Sequence, residues 1–176
     1  MNNFDISKLE ESVREVPDFP KPGIKFKDIT PILINPKLLS MSVEALASHV
    51  DSSSIDKIIG IDARGFIFGS LLANLLGKGF IPVRKEGKLP WQTESQAYDL
   101  EYGKSVIEIH KDSIKPGERI LIVDDLLATG GTAEAAVKLV EKLSGTVDSL
   151  IFFIELEFLK GRELLKNTNV KSVLKY

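Results

Sequence analysis

Besides a short strand at residues 80–83, apolar runs at residues 58–61 and 120–123 lack the alternation of a half-exposed strand. They read as strands covered on both faces, which is the signature of a parallel sheet. Residues 147–154 give another buried strand, and residues 170–174 can close the sheet. Between these runs the rhythm becomes helical. Leu9, Val13 and Val16 place one apolar stripe on a short helix ended by Pro17, with Ser7 and Glu10 at capping-box spacing. Asn35 and Pro36 read as the N-cap and first residue of a helix carrying Leu39, Leu46 and Val50 on one face. FIFGSLLANLLG, residues 66–77, is a largely apolar helix. Residues 132–143 form another helix, with Thr132 at its N-cap, and residues 159–166 a short one. Five candidate strands with helical connections predict an α/β fold, a mainly parallel sheet flanked by helices.

Two stretches break these rhythms. In residues 17–31, Pro17, Pro20, Pro22 and Gly23 fix a rigid turn, after which Ile24 and Phe26 alternate with Lys25 and Lys27 as in a short edge strand. Residues 84–105 are long and polar, the mark of a flexible lid over a site. Tyr98, Leu100 and Tyr102 alternate before Gly103-Lys104, and Ile107 and Ile109 after it, so the lid is expected to contain a β-hairpin. Arg84, Lys85 and Lys88 concentrate positive charge at its start.

Composition narrows the function. A chain of 176 residues suits one domain, residues 1–176. It has no cysteine, hence no disulfide or thiolate metal site, and His49 and His110 stand apart without ligand spacing. A net charge of −2 without a basic stripe argues against nucleic acid as the main partner. No apolar run is long enough to span a membrane, and the amino terminus lacks the pattern of a signal peptide.

The chemistry concentrates in ILIVDDLLATGGT, residues 120–132. A buried strand delivers Asp124 and Asp125, and a loop of small residues leads into a helix. Gly130 and Gly131 let backbone approach a phosphate, while amides, the Thr129 and Thr132 hydroxyls and the helix dipole supply donors. Ionised carboxylates only accept, so Asp124 and Asp125 must face donors or a cation, and vicinal ribose hydroxyls with bound magnesium supply both. The pattern therefore points to a sugar phosphate. An ordinary strand-to-helix turn would not require two acids followed by five small or hydroxylated residues. Neither G-x-x-x-x-G-K-[ST] nor G-x-G-x-x-G occurs. After the 58–61 strand, Asp62-Ala63-Arg64-Gly65 repeats the strand, loop and helix plan, and the Arg64 guanidinium suits a pyrophosphate.

Residues 120–132 resemble the motif with which type I phosphoribosyltransferases bind phosphoribosyl pyrophosphate (PRPP). The segment PDFPKPGIKFKDITP, the DARGF loop, and RKxGKLP followed by YxLEYG are similar to the adenine phosphoribosyltransferase family. The resemblance implies the type I fold, a five-stranded mainly parallel sheet with an amino-terminal base-binding segment and a lid. It also implies conversion of adenine and PRPP to AMP and pyrophosphate with Mg2+, in the cytoplasm and as a homodimer. Asp124 and Asp125 would hold the ribose, with magnesium nearby, and Ala128, Thr129, Gly130, Gly131 and Thr132 the 5-phosphate. Ala63, Arg64, Arg84, Lys85 and Lys88 would meet pyrophosphate, with Arg84 a candidate to reach a neighbouring subunit's site. Phe26 would stack on the base opposite Leu126, flanked by main-chain groups of Lys25 and Lys27. Glu101 is the candidate acid/base, acting with Arg64, and Tyr102 a contact to sugar or phosphate. Two rivals are a PRPP-sensing regulator, which would need a basic surface or an added DNA-binding module, and a phosphoribosyltransferase for another base.

Overall fold

The sheet forms because its central strands are apolar on both faces, and the two sets of side chains feed two separate cores. A computed structural model describes residues 6–99 and 104–176. The chain begins with helix α1 (Ile6–Ser12), strand β1 (Arg14–Val16), strand β2 (Phe26–Asp28), and helices α2 (Thr30–Leu33) and α3 (Pro36–Ala47). Then come β3 (Lys57–Ile61), α4 (Gly65–Leu76), β4 (Gly79–Lys85), and the hairpin β5 (Thr93–Asp99) and β6 (Lys104–His110). The chain finishes with β7 (Arg119–Leu127), α5 (Gly131–Lys142), β8 (Thr146–Glu155) and β9 (Val170–Lys175).

The main sheet runs β5-β6-β4-β3-β7-β8-β9, and β1 pairs separately with β2. The strands β4, β3, β7, β8 and β9 are mutually parallel, whereas β6 joins β4 antiparallel. Alternate residues of the buried strands part to opposite faces. Ile59, Ile120, Ile122, Leu150 and Phe152 pack in the core shared with α5. Ile58, Leu121, Val123, Ile151 and Phe153 join the core that includes Leu9, Ile32, Leu46 and Phe68 of the other helices. This two-sided burial explains the missing alternation in the sequence.

The described strands of the sheet number seven, not five, because the expected hairpin adds both its strands to the free edge of β4. Other boundaries also moved. The first helix stops at Ser12, and Val16 lies instead in β1 opposite Phe26, since β1 gains a ladder against β2 that a further helical turn would forfeit. The edge strand accordingly starts at Phe26 rather than Ile24. β7 continues through both aspartates to Leu127, paired with β8 as far as Glu155. Residues 159–166 are not one helix but parts of two 3₁₀ turns, Glu157–Leu159 and Gly161–Leu165, separated by Lys160 at φ 54°.

Candidate active site

The crossovers place two loops at one crevice. From β3 the chain passes through α4 to β4 on one side, and from β7 through α5 to β8 on the other, while β3 and β7 pair directly. Their carboxyl ends therefore flank a topological switch point, where open parallel sheets bind ligands. Close packing draws the loops together. A β-carbon at Gly65 would lie 2.7 Å from Asp124 Oδ1 and 2.9 Å from the Val123 carbonyl, so only glycine lets α4 start against the end of β7.

Asp124 Oδ1 accepts from the Asp125 amide at 2.8 Å. Burial, then the neighbouring Asp125 charge, raises the Asp124 carboxyl well above the ordinary carboxylate range. Asp125 is 7% exposed and accepts from Nε of Arg64 across the two loops. The same guanidinium stands 5.7 Å from the centre of the Phe26 ring. One arginine thus pairs with Asp125 and faces the aromatic of the amino-terminal segment. The Asp62-Ala63 peptide preceding it is cis.

Beyond β7 the chain forms a small pocket of about 80 Å³, lined by Asp124, Phe152 and the loop from Leu126 to Ala133. The expected N-cap was Thr132, but the cap is Gly130 at φ 89°, a left-handed turn that needs glycine, and Thr132 lies in the first helical turn. No side chain caps this end of α5, so its first-turn amides remain available to an anion. Thr129 is exposed, and Ala128, Gly131 and Thr132 are partly so. Leu126, at the mouth of the pocket, packs against the core under α4.

Around Phe26 the backbone is braced from outside. Phe19 meets it edge-on at 5.2 Å. The amines of Lys25 and Lys27 reach the two oxygens of Glu15 at 2.9 and 3.0 Å, and Lys27 Nζ stands 3.9 Å over the Tyr176 ring. These lysines hold the Glu15 carboxyl below its usual value. Asp28 takes the Thr30 amide at 2.8 Å and pairs with Arg14. Thr30 first, then Arg14, draw its pKa down to about 2.

Of the lid cations, Arg84 is engaged. Its Nε donates to Asp62 at 3.0 Å and its Nη1 to the Lys88 carbonyl at 3.0 Å, so it fastens the Asp62 loop to the turn after β4. Lys85 and Lys88 are exposed. Beneath that turn Glu108 is only 9% exposed and accepts the Gly87 amide. Sequence reasoning missed these supports, and missed Gly161 packed against Ala128 and Gly130, because each depends on contacts distant in sequence. Glu101 and Tyr102 lie outside the described residues.

Among the described residues no three His, Cys, Asp or Glu side chains are grouped to hold a metal ion. Asp124 offers hard oxygens to the pocket, with Asp125 paired to Arg64 beside it, which suits a magnesium ion whose other ligands come from the substrate. No helix among the described residues is long and apolar enough to cross a membrane.

Residues 29–174 match the family profile of the phosphoribosyl transferase domain, and the chain belongs to that family. Within it, the chain is 52% identical over 169 residues to adenine phosphoribosyltransferase of Acetivibrio thermocellus, spanning 96% of this chain and 99% of that one. It is similar to the crystal structure of adenine phosphoribosyltransferase from Thermoanaerobacter pseudethanolicus, with a TM-score of 0.94, 53% identity, and 97% and 99% of the two chains covered. The Saccharomyces cerevisiae enzyme, solved with adenine and an imino-altritol bisphosphate, superposes with a TM-score of 0.92 at 42% identity, over 96% and 97% of the chains.

Proposed function

We infer that this chain is an adenine phosphoribosyltransferase, transferring the 5-phosphoribosyl group of PRPP to adenine to give AMP and pyrophosphate in purine salvage. The observation that carries the site assignment is Arg64, which pairs with Asp125 and faces the Phe26 ring at 5.7 Å, joining the three motifs at one crevice. The 5-phosphate occupies the pocket of Ala128 to Thr132, and Asp124 and Asp125 take the ribose hydroxyls. Pyrophosphate lies toward Ala63, Arg64, Lys85 and Lys88, with Arg84 acting through Asp62 and the Lys88 carbonyl. Adenine stacks between Phe26 and Leu126.

In the reaction a bond forms between a base nitrogen and the anomeric carbon as the carbon–oxygen bond to pyrophosphate breaks. Positive charge grows on the sugar beside the acidic pair, and negative charge grows on the leaving group beside the cations, so each is stabilised where it develops. By family resemblance Glu101 accepts the proton released from the base nitrogen, and Tyr102 contacts sugar or phosphate. Magnesium, held with PRPP near Asp124 and Asp125, would neutralise pyrophosphate charge. Closure of residues 84–105 would exclude water from the cationic sugar. The same resemblance supports a cytoplasmic homodimer, and the chain serves as a single domain.

The Lys25 and Lys27 amines are occupied by Glu15, which supports recognition of the base by their main-chain groups. A carbonyl accepting from the 6-amino group and an amide donating to N1 would both be mismatched by a 6-oxopurine. Such sites reject the wrong ligand by roughly 10⁴-fold. The test is kcat/KM with adenine, hypoxanthine and guanine for wild type, Lys25→Ala and Lys27→Ala. All three proteins should keep the adenine preference. Comparable wild-type values for adenine and hypoxanthine would refute the base assignment, and lost discrimination in a lysine variant would show that a side chain reads the base.

A further inference from the structure

The chain after β8 reaches the phosphate loop backbone to backbone. The Leu156 amide donates to the Leu127 carbonyl at 2.9 Å, so this chain leaves β8 alongside the end of β7. Lys160, at φ 54°, turns it, and the next residue, Gly161, is buried. A β-carbon on Gly161 would collide with the Ala128 carbonyl and lie 3.1 Å from the Gly130 nitrogen, while one on Gly130 would collide with the Gly161 carbonyl. These obstacles are main-chain atoms, which cannot swing aside as the end of a flexible side chain can.

Arg162 fixes Gly161 from the other side. Its Nε donates to Glu155 Oε1 at 2.5 Å, its Nη2 to Oε2 at 2.7 Å, and its Nη1 to the Val170 carbonyl at 2.8 Å. Glu155 is 3% exposed and also accepts from the Ser172 hydroxyl at 2.5 Å. Arg162 first, then Ser172, holds its carboxyl below the usual range. A forked pair of this kind fixes direction as well as distance. It anchors Gly161 to the ends of β8 and β9, while Gly161 itself bears on Ala128 and Gly130.

We propose that Gly161, stapled through Arg162 to Glu155, is a positioning residue for the 5-phosphate of the substrate. It sets the path of Ala128 to Gly130, and hence the direction of the first-turn amides of α5. Hydrogen bonds weaken steeply as they lengthen or bend, so a displaced loop loses its grip on the phosphate without altering the base or ribose contacts. The inference rests on the reading of residues 128–132 as the 5-phosphate site.

AMP and adenosine share base and ribose, so the ratio of their affinities isolates the phosphate. Calorimetry with both ligands should compare wild type, Gly161→Ala, Arg162→Ala and Arg162→Lys. Wild type should favour AMP by at least about a hundredfold, as expected for several charge-assisted hydrogen bonds. Gly161→Ala should lower that ratio about tenfold or more while adenosine affinity stays within about twofold. Arg162→Ala should lower it less, and Arg162→Lys should recover only part, since an ammonium keeps the charge but not the fork. An unchanged ratio in folded Gly161→Ala protein, or equal losses for both ligands, would overturn the proposal. If Gly161→Ala fails to fold, Arg162→Ala decides by the same ratio. Equal wild-type affinity for AMP and adenosine would instead overturn the 5-phosphate reading beneath it.

Discussion

The end of β7 and the amino-terminal segment, which we propose hold the sugar phosphate and the base, meet at Arg64, yet they are built in opposite ways. The phosphate loop is a continuation of the central strand, and it rests on buried backbone, glycine against glycine. The amino-terminal segment pairs through a three-residue strand, sinks Ile29 into the core, and is otherwise fastened by ion pairs at the surface, Glu15 with Lys25 and Lys27, and Arg14 with Asp28. Exposed pairs of that kind contribute little stability each. On the proposed assignment the sugar-phosphate contacts sit on the sheet, whereas the choice of base falls to a short segment held largely from the surface.

The sharpest way to break this contrast is at the sheet. Asp124→Asn with Asp125→Asn keeps size but replaces two carboxylate acceptors, a charged one being worth about 1.5 to 3 kcal/mol, so kcat/KM for PRPP should fall roughly 10²-fold or more. Circular dichroism and thermal melting should show the fold intact. A folded and fully active double variant would sink the ribose assignment.

A smaller effect is expected on the other side. Phe26→Ala removes the stacking face and should weaken every purine by about tenfold, while ribose 5-phosphate affinity is unchanged. Loss of both affinities together would show that the two regions are not independent. The smallest effect concerns acid. Asp28 has its pKa lowered from 3.8 to about 2 in the fold, so its contribution to stability is complete above about pH 4 and fades as the pH drops toward 2. Thermal midpoints of wild type and Asp28→Asn should therefore converge across that window. A constant gap between them would assign the loss to something other than this carboxylate.

The parts legible from sequence were those whose physics is local. Runs such as 120–123 announce burial on both faces, and two acids followed by ATGGT announce donors and acceptors within one turn. What escaped depends on pairing between distant segments. β7 continues through Asp124 and Asp125 because β8 supplies its ladder, whatever the side chains. Thr132 has the chemistry of a cap, but the left-handed turn falls two residues earlier, at Gly130, to suit the backbone of Gly161. Arg84 displayed charge in the sequence but not its engagement with Asp62, 22 residues away. Val16 suited a helical stripe until a strand partner at Phe26 became available.

The pairing of β3 with β7 also governs when during folding the crevice can exist. Arg64 and Asp125 are separated by 61 residues and meet only after a parallel pairing that closes a long loop. Such non-local contacts form slowly relative to helices and hairpins. A nascent or partly unfolded chain lacking that pairing presents the two halves of the proposed PRPP site on separate pieces. The substrate can hold the finished fold in place by mass action, but it has no assembled crevice to recruit beforehand. On the proposed site assignment, protection by PRPP against proteolysis or heat should therefore report completion of the central sheet, not merely the presence of the ATGGT loop.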